Sequence, residues 1–336
     1  MKPIKIAQLG IGHNHGDACM ETLRRFPDLF EVVGVAEDDP VWYEKRKGLK
    51  VYEGLRWMTE EELLNEPGLE AVAVETDVPR LNAAAQRCLD RGLHVRMDKP
   101  GGEDIASFEK LVKTAEEKQL AFQVAYMYRY NPYIARAIEM VRSGELGEIF
   151  EIDAQMSSQH PKVYRDWLSQ YQGGDMYIFG SHLIDLIICM LGAPTRVTPY
   201  LYNSFPEVSK CVDNALAVLE YPRATCTVRC TSMEANGYYR RQLVVCGTKG
   251  TIEIKPLENP TIMSVAYAEE FRPGEIHTNG HPDSRQFIEL PSNGKRYDEQ
   301  IRDFARVVRG ECPAKYDYQH ELLVQKVVLQ ACGIPV

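Results

Sequence analysis

The sequence predicts an α/β protein with two domains: a parallel sheet covered by helices on both faces, then an α/β domain with an open, mainly antiparallel sheet. Three observations predict this. Strand-like and helix-like segments alternate through the first third of the chain, and half-buried strand patterns with few helices follow after about residue 125. The chain also has 336 residues, more than one hydrophobic core normally serves. We therefore expect domains at residues 1–125 and 126–336.

The first domain begins with an apolar strand at residues 4–9, a glycine-rich turn and a helical pattern. Gly10 would allow a sharp turn, and Gly12 would let the backbone approach a pyrophosphate at the helix N-terminus. This pattern predicts a Rossmann fold that binds a dinucleotide, although His15 stands where the usual fingerprint has its third glycine. The predicted cofactor contacts in the turn are Gly10, Gly12, His13, Asn14 and His15.

Glu37 ends the second predicted strand, where an acidic residue of a dinucleotide site is expected. Its carboxylate would accept hydrogen bonds from a ribose diol and repel a 2′-phosphate, so we expect NAD rather than NADP. The alternative is a solvated acidic loop formed with Asp38 and Asp39. Thr76, just after a buried strand at 71–74, is a further predicted cofactor contact.

The remaining elements follow from periodicity and end signals. Thr59 and Glu62 have the spacing of a capping box. Further helices are predicted at 79–91, 105–118, 132–143, 298–308 and 320–332. Further strands are predicted at 94–97, 121–125, 148–156, 215–221, 225–233, 242–246, 251–254 and 262–267. In the strand at 148–156, the residues expected on one buried face are Phe150, Ile152, Ala154 and Met156.

Composition limits the possible partners and location. The net charge of −9 gives no reason to expect a nucleic acid or an anionic membrane as a partner. No apolar run reaches the ~18 residues that a membrane span needs. Nine cysteines occur without a CxxC pair, and the N-terminus leads directly into the first strand without a leader pattern. We expect a cytoplasmic protein with reduced thiols.

Lys99 lies at the predicted end of a strand, within the sequence Asp98-Lys99-Pro100. Ligands of parallel α/β sheets bind outside the carboxyl ends of the strands, so we expect Lys99 beside the nicotinamide. The following proline favours an extended or turn conformation at Lys99. Asp98, Lys99 and Pro100 are all predicted cofactor contacts, and Lys99 is also a predicted catalytic residue.

A second polar set lies in a predicted helix after Gly173 and Gly174. Spacings of three, four and three residues place its members on one helix face: Asp175, Ile178, His182 and Asp185. Two aspartates and a histidine among apolar neighbours do not resemble a core stripe. The alternatives are a solvated face with a surface histidine and a metal site, but no further ligand converges in sequence, so no metal is predicted.

These motifs together resemble the family of glucose–fructose oxidoreductase and inositol dehydrogenase across nearly the whole chain. The motifs that carry the resemblance are Gly10 with Gly12, residues 98–100, 128–132, Gly173-Gly174 with 180–185, and 247–250. The resemblance implies an NAD(P)-binding domain and a second domain whose open sheet often mediates oligomerisation, as a homodimer or homotetramer. It also implies sugar or polyol substrates, with Lys99 and His182 at the reacting carbon.

Three positions depart from the family pattern. His15 replaces a small residue, Asp98 replaces glutamate, and Ile178 stands where the family's sugar dehydrogenases commonly have aspartate. We expect Asp175 to bind a substrate hydroxyl instead, and Asp185, one turn after His182, to be able to orient its ring.

The favoured activity is therefore an NAD-dependent oxidoreductase acting on a sugar or polyol CH–OH group, with His182 as base and Lys99 stabilising the alkoxide. The predicted substrate contacts are Tyr128, Arg165, Trp167, Asp175, Tyr177, Ile178 and His182. One alternative is a glycosidase or lyase that oxidises a sugar carbon transiently and uses acid–base groups of the loop 157–172, such as His160. The other is a non-catalytic sugar sensor.

Overall fold

The first strand, β1 (Ile4–Leu9), lies in the interior of a six-stranded parallel sheet, where the strands Phe30–Ala36 and Ala71–Val74 pair with it on either side. The computed structural model describes residues 2–268, 284–292 and 294–336. The chain forms two units, which are Met1–Met127 with Asn293–Lys326, and Tyr128–Ser292 with Val327–Val336.

The first unit alternates strands and helices, as the sequence predicts. After β1 its elements are α1 (Gly16–Arg25), β2 (Phe30–Ala36), α2 (Pro40–Arg46), β3 (Trp57–Met58), α3 (Glu60–Leu64), β4 (Ala71–Val74), α4 (Leu81–Asp90), β5 (His94–Met97), α5 (Ile105–Glu117) and β6 (Phe122–Val124). The strand order is β3-β2-β1-β4-β5-β6, with every pair parallel. The predicted Rossmann arrangement is therefore confirmed.

Side-chain caps begin several helices, and one of them, the capping box of α3, lies at the predicted residues. The capping box of α3 is formed, with the Thr59 side chain accepting from the Glu62 backbone and the Glu62 carboxylate accepting from the Thr59 backbone. Asp39 caps α2 and Asp104 caps α5, each by accepting backbone N–H groups.

The second unit contains a mixed eight-stranded sheet and helices. Its elements are α6 (Pro132–Arg142), β7 (Ile149–Gln155), α7 (Lys162–Leu168), α8 (Ser181–Leu191), β8 (Arg196–Tyr202), β9 (Asn214–Glu220), β10 (Thr225–Thr231), β11 (Gln242–Gly247), β12 (Gly250–Ile254), β13 (Met263–Tyr267) and β14 (Gln286–Ile288). The strand order is β14-β13-β12-β11-β7-β10-β9-β8, and only β7 and β10 pair in parallel among the described strands. The prediction of a mainly antiparallel sheet is confirmed.

The C-terminal helices α9 (Asp298–Val308) and α10 (Tyr318–Ala331) begin in the first unit, whereas the sequence analysis placed them in the second domain. The reason is an apolar face of α9. Ile301, Phe304 and Ala305 are buried in the same hydrophobic cluster as Ile4 and Ala71 of the parallel sheet. Helical periodicity shows that such a face exists but does not show which sheet it covers.

Phe150 does not lie on the buried face of β7, contrary to the sequence prediction. Cys246 pairs with Glu151, but the next residue, Gly247, pairs with Ile149, so the ladder has an irregularity at Phe150. The extra residue interrupts the two-residue alternation, and Phe150 is 49% exposed. Ile152, Ala154 and Met156 are buried as predicted.

In the ranges that the structure describes, no helix combines the length and the apolar character needed to cross a bilayer.

Candidate functional site

The glycine-rich turn between β1 and α1 is closely packed. Gly10 has φ +88°, in the left-handed region that favours glycine, and a Cβ there would collide with the backbone of Thr76. A Cβ at Gly12 would lie 2.8 Å from the backbone nitrogen of Asp77 and 3.1 Å from the ring of Trp42. Both glycines are therefore required where the turn approaches the segment after β4. Asn14 is exposed at the tip of this turn.

Glu37 lies directly after β2, and its side chain is buried. The carboxylate accepts hydrogen bonds from the backbone N–H of Ile11 at 2.8 Å, from that of Asp39 at 3.0 Å and from Arg80 at 3.2 Å. A carboxylate offers about four acceptor positions. Within the described residues Oε2 accepts one of these bonds, from Ile11, so it has capacity for a ribose hydroxyl. These residues fit a dinucleotide.

Arg80 was not among the residues singled out from sequence. Its guanidinium forms an ion pair with Asp77, lies 3.2 Å from Glu37 and lies 3.8 Å from Asp39. Three carboxylates therefore surround one cation, and the local charge beside Glu37 is negative. Only the Asp77 partner, three residues before Arg80, could have been inferred from spacing.

Asp98 and Lys99 follow β5 and are both buried. Asp98 Oδ1 accepts a hydrogen bond of 2.7 Å from the backbone N–H of Lys99. His15 Nδ1 lies 3.2 Å from both carboxylate oxygens, and His13 Nδ1 lies 3.2 Å from Oδ2. Burial alone would raise the pKa of Asp98, but the two imidazoles reverse that effect and lower it well below its usual value.

His13 also contacts Lys99 directly. Its Nε2 lies 3.1 Å from the Lys99 carbonyl oxygen, which can only accept, so this nitrogen carries a proton. Burial lowers the pKa of His15 to about 4, although Asp98 opposes that shift, so His15 is neutral near pH 7. One ligand atom from each of His13, His15 and Asp98 lies within 4.8 Å of the others, a spacing in which a metal ion could be held.

A buried ion pair lies beneath this group. Glu75 Oε1 accepts a hydrogen bond of 2.6 Å from Arg96, and neither side chain is more than 1% exposed. Burial and the neighbouring Asp98 raise the pKa of Glu75, against the effect of Arg96. Arg96 also donates to Gln300 of α9 at 3.2 Å. The sequence analysis missed this network because its members are 21 and 204 residues apart.

His182, in the second unit, lies in the first turn of α8 and is 4% exposed. Its ring and that of Tyr128 form a T-shaped pair, with ring centroids 5.1 Å apart. The Tyr128 hydroxyl hydrogen-bonds with Glu258, and Glu258 accepts a second bond of 3.1 Å from Arg241. Glu258 and Arg241 were missed from sequence, since Glu258 is 130 residues from Tyr128.

The sequence analysis predicted an α-helix that carries Asp175, Ile178 and His182 on one face, but the segment before α8 is not α-helical. Met176–Gly180 forms a π turn that runs into α8. A π turn uses one more residue per hydrogen-bonded loop than an α-helix, so a spacing of three or four residues across it no longer defines one face. Asp175 precedes this turn and Ile178 lies within it, and both are buried.

Asp175 is 1% exposed, and burial raises its pKa to about 7. Asp213 adds to that increase, while Ser232, Arg241 and Arg165 oppose it only in part. The side chain therefore titrates near neutral pH, which is a frequent property of functional carboxyl groups.

Asp185 forms a buried ion pair with Arg129. The guanidinium donates from Nε to both carboxylate oxygens, at 2.7 and 2.9 Å, and Nη2 lies 2.5 Å from Oδ1. This bond fixes the orientation of Asp185 toward Arg129. The sequence analysis considered that Asp185 could orient His182, but it did not identify Arg129 as the partner of Asp185.

The other predicted substrate contacts have different environments. Arg165 is buried and donates to the Met233 sulfur at 2.7 Å. Trp167 is half-buried, with its ring centroid 5.3 Å from that of Tyr171. Tyr177 has no exposed surface, and its ring centroid lies 5.6 Å from that of Tyr171.

Comparisons with known proteins agree with both halves of this description. Residues 4–126 match the oxidoreductase family with an NAD-binding Rossmann fold, and residues 134–253 match the GFO/IDH/MocA C-terminal domain. The chain belongs to the GFO/IDH/MocA family of oxidoreductases. Among curated relatives, it is 28% identical to D-xylose 1-dehydrogenase (NADP(+)) 2 of Haloferax volcanii over 80% of this chain and 78% of the relative. Alignments to several others span about half of their length.

Solved structures of the GFO/IDH/MocA kind share the fold. A putative NADPH-dependent oxidoreductase from Desulfitobacterium hafniense has a TM-score of 0.83 at 17% identity, covering 99% of this chain and 95% of that one. The WlbA dehydrogenase from Bordetella pertussis, solved with NADH and UDP-GlcNAcA, has a TM-score of 0.79 at 16% identity, covering 100% and 99%. The named relatives use either dinucleotide, so family membership establishes NAD(P) binding but not the choice between them.

Proposed function

We propose that this chain is an NAD-dependent oxidoreductase that transfers a hydride between the CH–OH carbon of a sugar or polyol and nicotinamide. The observation that carries the proposal is Lys99, a buried lysine at the carboxyl end of β5 whose backbone N–H and carbonyl both have side-chain partners. A parallel α/β sheet binds its ligand outside this edge. A lysine fixed there can stabilise negative charge on a substrate oxygen.

His182 is the proposed base. It accepts the hydroxyl proton while Lys99 hydrogen-bonds the same oxygen and stabilises the alkoxide as charge develops. When bound, the nicotinamide ring supplies the hydride acceptor. The contact of His182 with Tyr128, which is itself bonded to Glu258, supports this role because it restricts the orientation of the imidazole ring.

NAD is the proposed cofactor, because the charge around the ribose position is negative. Glu37, Asp39 and Asp77 all lie about Arg80, so a 2′-phosphate would meet more negative than positive charge. Glu37 Oε2 supplies the acceptor for a ribose hydroxyl.

A sugar or polyol is the proposed substrate because the second unit combines a titratable carboxyl group with a flat ring. Asp175 can bind a hydroxyl, and Trp167 offers an apolar face for the C–H side of a sugar ring. Tyr128 and Arg165 are the remaining proposed contacts, while Ile178 replaces the family's aspartate with an apolar side chain.

The transient-oxidation alternative depends on an acid from the loop 157–172, and His160 is weakly suited to it. Burial and the neighbouring Arg241 lower the pKa of His160 to about 4, so the imidazole is neutral near pH 7. Its ring also packs against Phe179 and Tyr164. These features favour the dehydrogenase over the glycosidase or lyase.

The open face of the second sheet is the proposed homo-oligomer interface. On β8, Tyr200 and Tyr202 are 46% and 60% exposed, and Tyr200 lies opposite Leu216 of β9. Exposed aromatic groups on a sheet face are typical of protein interfaces. Substituting both tyrosines by serine should reduce the molecular mass measured by sedimentation. We also propose a cytoplasmic location, since all nine cysteines lie in described residues and none forms a disulfide.

The activity can be tested with a panel of sugars and polyols. Purified protein is incubated with NAD and each compound, as free sugar and as aryl glycoside, while NADH absorbance and released aglycone are both recorded. We expect NADH to accumulate with at least one free sugar or polyol and the Lys99→Ala variant to lose that signal. Release of aglycone without NADH would contradict the proposal, as would binding with neither product.

A further inference from the structure

His15, in the turn before α1, and Asp98, at the end of β5, contact each other. His15 Nδ1 lies 3.2 Å from both oxygens of Asp98, although the residues are 83 positions apart. The imidazole ring at one position therefore faces the short carboxylate side chain at the other.

The geometry makes His15 a hydrogen-bond donor to Asp98. Both carboxylate oxygens lie 3.2 Å from Nδ1, and a carboxylate can only accept, so Nδ1 carries the proton. Through this N–H the ring donates to the Asp98 carboxylate. A glycine here would remove this donor, and the fully buried carboxylate would lose part of its hydrogen bonding.

Asp98 in turn determines the position of Lys99. Its Oδ1 accepts the Lys99 backbone N–H at 2.7 Å, and His13 Nε2 donates to the Lys99 carbonyl at 3.1 Å. The peptide groups on both sides of the Lys99 Cα are thus bonded to side chains of one cluster. A change in the position of Asp98 is transmitted to the backbone from which the lysine side chain extends.

We propose that His15 and Asp98 are a matched pair of positioning residues that hold the Lys99 backbone, and that neither works without the other. The imidazole of His15 occupies the space between the helix α1 N-terminus and the shorter carboxylate, and keeps that carboxylate directed at the Lys99 N–H. The catalytic part of this inference rests on the proposed function of Lys99, but the pairing itself does not.

The pairing is tested by hydrogen exchange of the Lys99 amide, which needs neither substrate nor cofactor. The proteins compared are the parent, His15→Gly, Asp98→Glu and the double variant, in which a longer carboxylate faces the space that the ring leaves. Each single substitution should accelerate exchange of this amide about tenfold, the loss expected when one buried hydrogen bond is weakened. The double variant should exchange within about threefold of the parent, because the longer carboxylate fills the space left by the ring.

Three further proteins separate hydrogen bonding from packing. His15→Phe keeps a ring of similar size without an N–H, so it should exchange as fast as His15→Gly, whereas His15→Gln should exchange more slowly than either. Asp104→Glu, an equivalent lengthening at the cap of α5, should leave Lys99 exchange unchanged. If His15→Phe behaves as the parent, the ring only fills space and the pairing is refuted.

Turnover supplies the second readout, on whichever sugar the panel identifies. Each single variant should lower kcat about tenfold with KM within about threefold, since a misplaced Lys99 affects the transition state more than substrate binding. The double variant should recover most of kcat. Losses that multiply in the double variant would refute the pairing, as would a change of exchange or kcat after removal of metal by a chelator.

The two proposals fail in different ways. Restored exchange in the double variant without turnover of any sugar would contradict the proposed function and leave the matched pair established. Turnover of a sugar with unchanged Lys99 exchange in the single variants would contradict the matched pair and leave the proposed function intact.

Discussion

Two buried aspartates, one in each unit, have opposite pKa shifts at nearly equal burial. Asp98 of the first unit is 0% exposed and Asp175 of the second is 1% exposed. Burial raises the pKa of both, but His13 and His15 reverse this effect at Asp98, while Asp213 adds to it at Asp175. The comparison shows that burial alone does not determine the charge of a buried carboxyl group at neutral pH, because its neighbours can reverse the effect of burial on the pKa.

This difference corresponds to two kinds of function. The ionised Asp98 binds the backbone N–H of Lys99 and is suited to hold a fixed geometry. Asp175, with a pKa of about 7, can bind a hydroxyl either as acceptor or as donor and is suited to contact a substrate.

The largest expected effect tests whether one residue from each unit serves the same chemical step. Lys99→Ala and His182→Ala should each lower kcat by at least ~10²-fold, as for a positioned acid–base group, with little change in NAD affinity. The double variant should be little worse than either single variant, because residues that act as one unit are non-additive. Steady-state kinetics and calorimetric titration with NAD measure both quantities, and losses that multiply would show two independent functions.

The next effect tests the opposite pKa shifts of the two aspartates through the pH dependence of the free energy of unfolding. The folded pKa of Asp175 is raised, so its stabilising contribution is present below pH 4 and is lost as the pH rises to about 7. Asp175→Asn should therefore raise the free energy of unfolding relative to the parent at pH 8, by on the order of 4 kcal/mol, with the difference developing between about pH 4 and pH 7.

Asp98→Asn is the matched substitution and should have the opposite sign. The folded pKa of Asp98 is lowered, so its contribution is present at neutral pH and is lost as the pH falls. This variant should be less stable than the parent at pH 7, with the difference shrinking in acid. Denaturant unfolding from about pH 2 to about pH 8.5 measures both variants, because Asp98 titrates below its usual value of about 3.9 and Asp175 titrates near 7. Equal signs would remove the distinction between the two aspartates.

A smaller effect is expected on substrate binding. If Asp175 binds a hydroxyl, Asp175→Asn should raise KM by about tenfold, equivalent to one hydrogen bond to a charged group, while NAD affinity stays unchanged. Asn retains the shape but has a fixed donor and a fixed acceptor. Initial rates over a range of sugar concentrations provide the test, and an unaltered kcat and KM would exclude Asp175 as a substrate ligand.

The smallest expected effect concerns the cofactor. NADP should bind more weakly than NAD, and Glu37→Gln should reduce that preference by about threefold to tenfold because one of the carboxylates near Arg80 is neutralised. Calorimetry with both dinucleotides at low and high salt gives the preference. Equal or tighter NADP binding by the parent protein would remove Glu37 from the ribose position.

The first unit was more predictable from sequence than the second for a physical reason. Its turn glycines, the capping box at Thr59 and the acidic residue after β2 are local signals, formed by residues close in sequence. The partner of Asp98, in contrast, became visible only when β5 and the turn before α1 were brought together.

In the second unit the strands were visible from alternation, but their irregularities were not. The interruption at Phe150 depends on pairing with Gly247, and the π turn before α8 has no distinct periodicity over five residues. Glu258 and Arg129 are bonded to site residues that are distant in sequence, at 130 and 56 positions. Such partners follow from tertiary contacts that spacing does not contain.

The most direct test of the central claim follows one hydrogen atom. A sugar or polyol that the panel identifies is prepared with deuterium on the reacting CH–OH carbon and incubated with NAD and the protein, and the reduced nicotinamide is analysed by NMR. A dehydrogenase should place deuterium at nicotinamide C4 in an amount equal to the oxidised product. Deuterium that stays on, or returns to, the sugar carbon while no reduced cofactor accumulates would contradict the account.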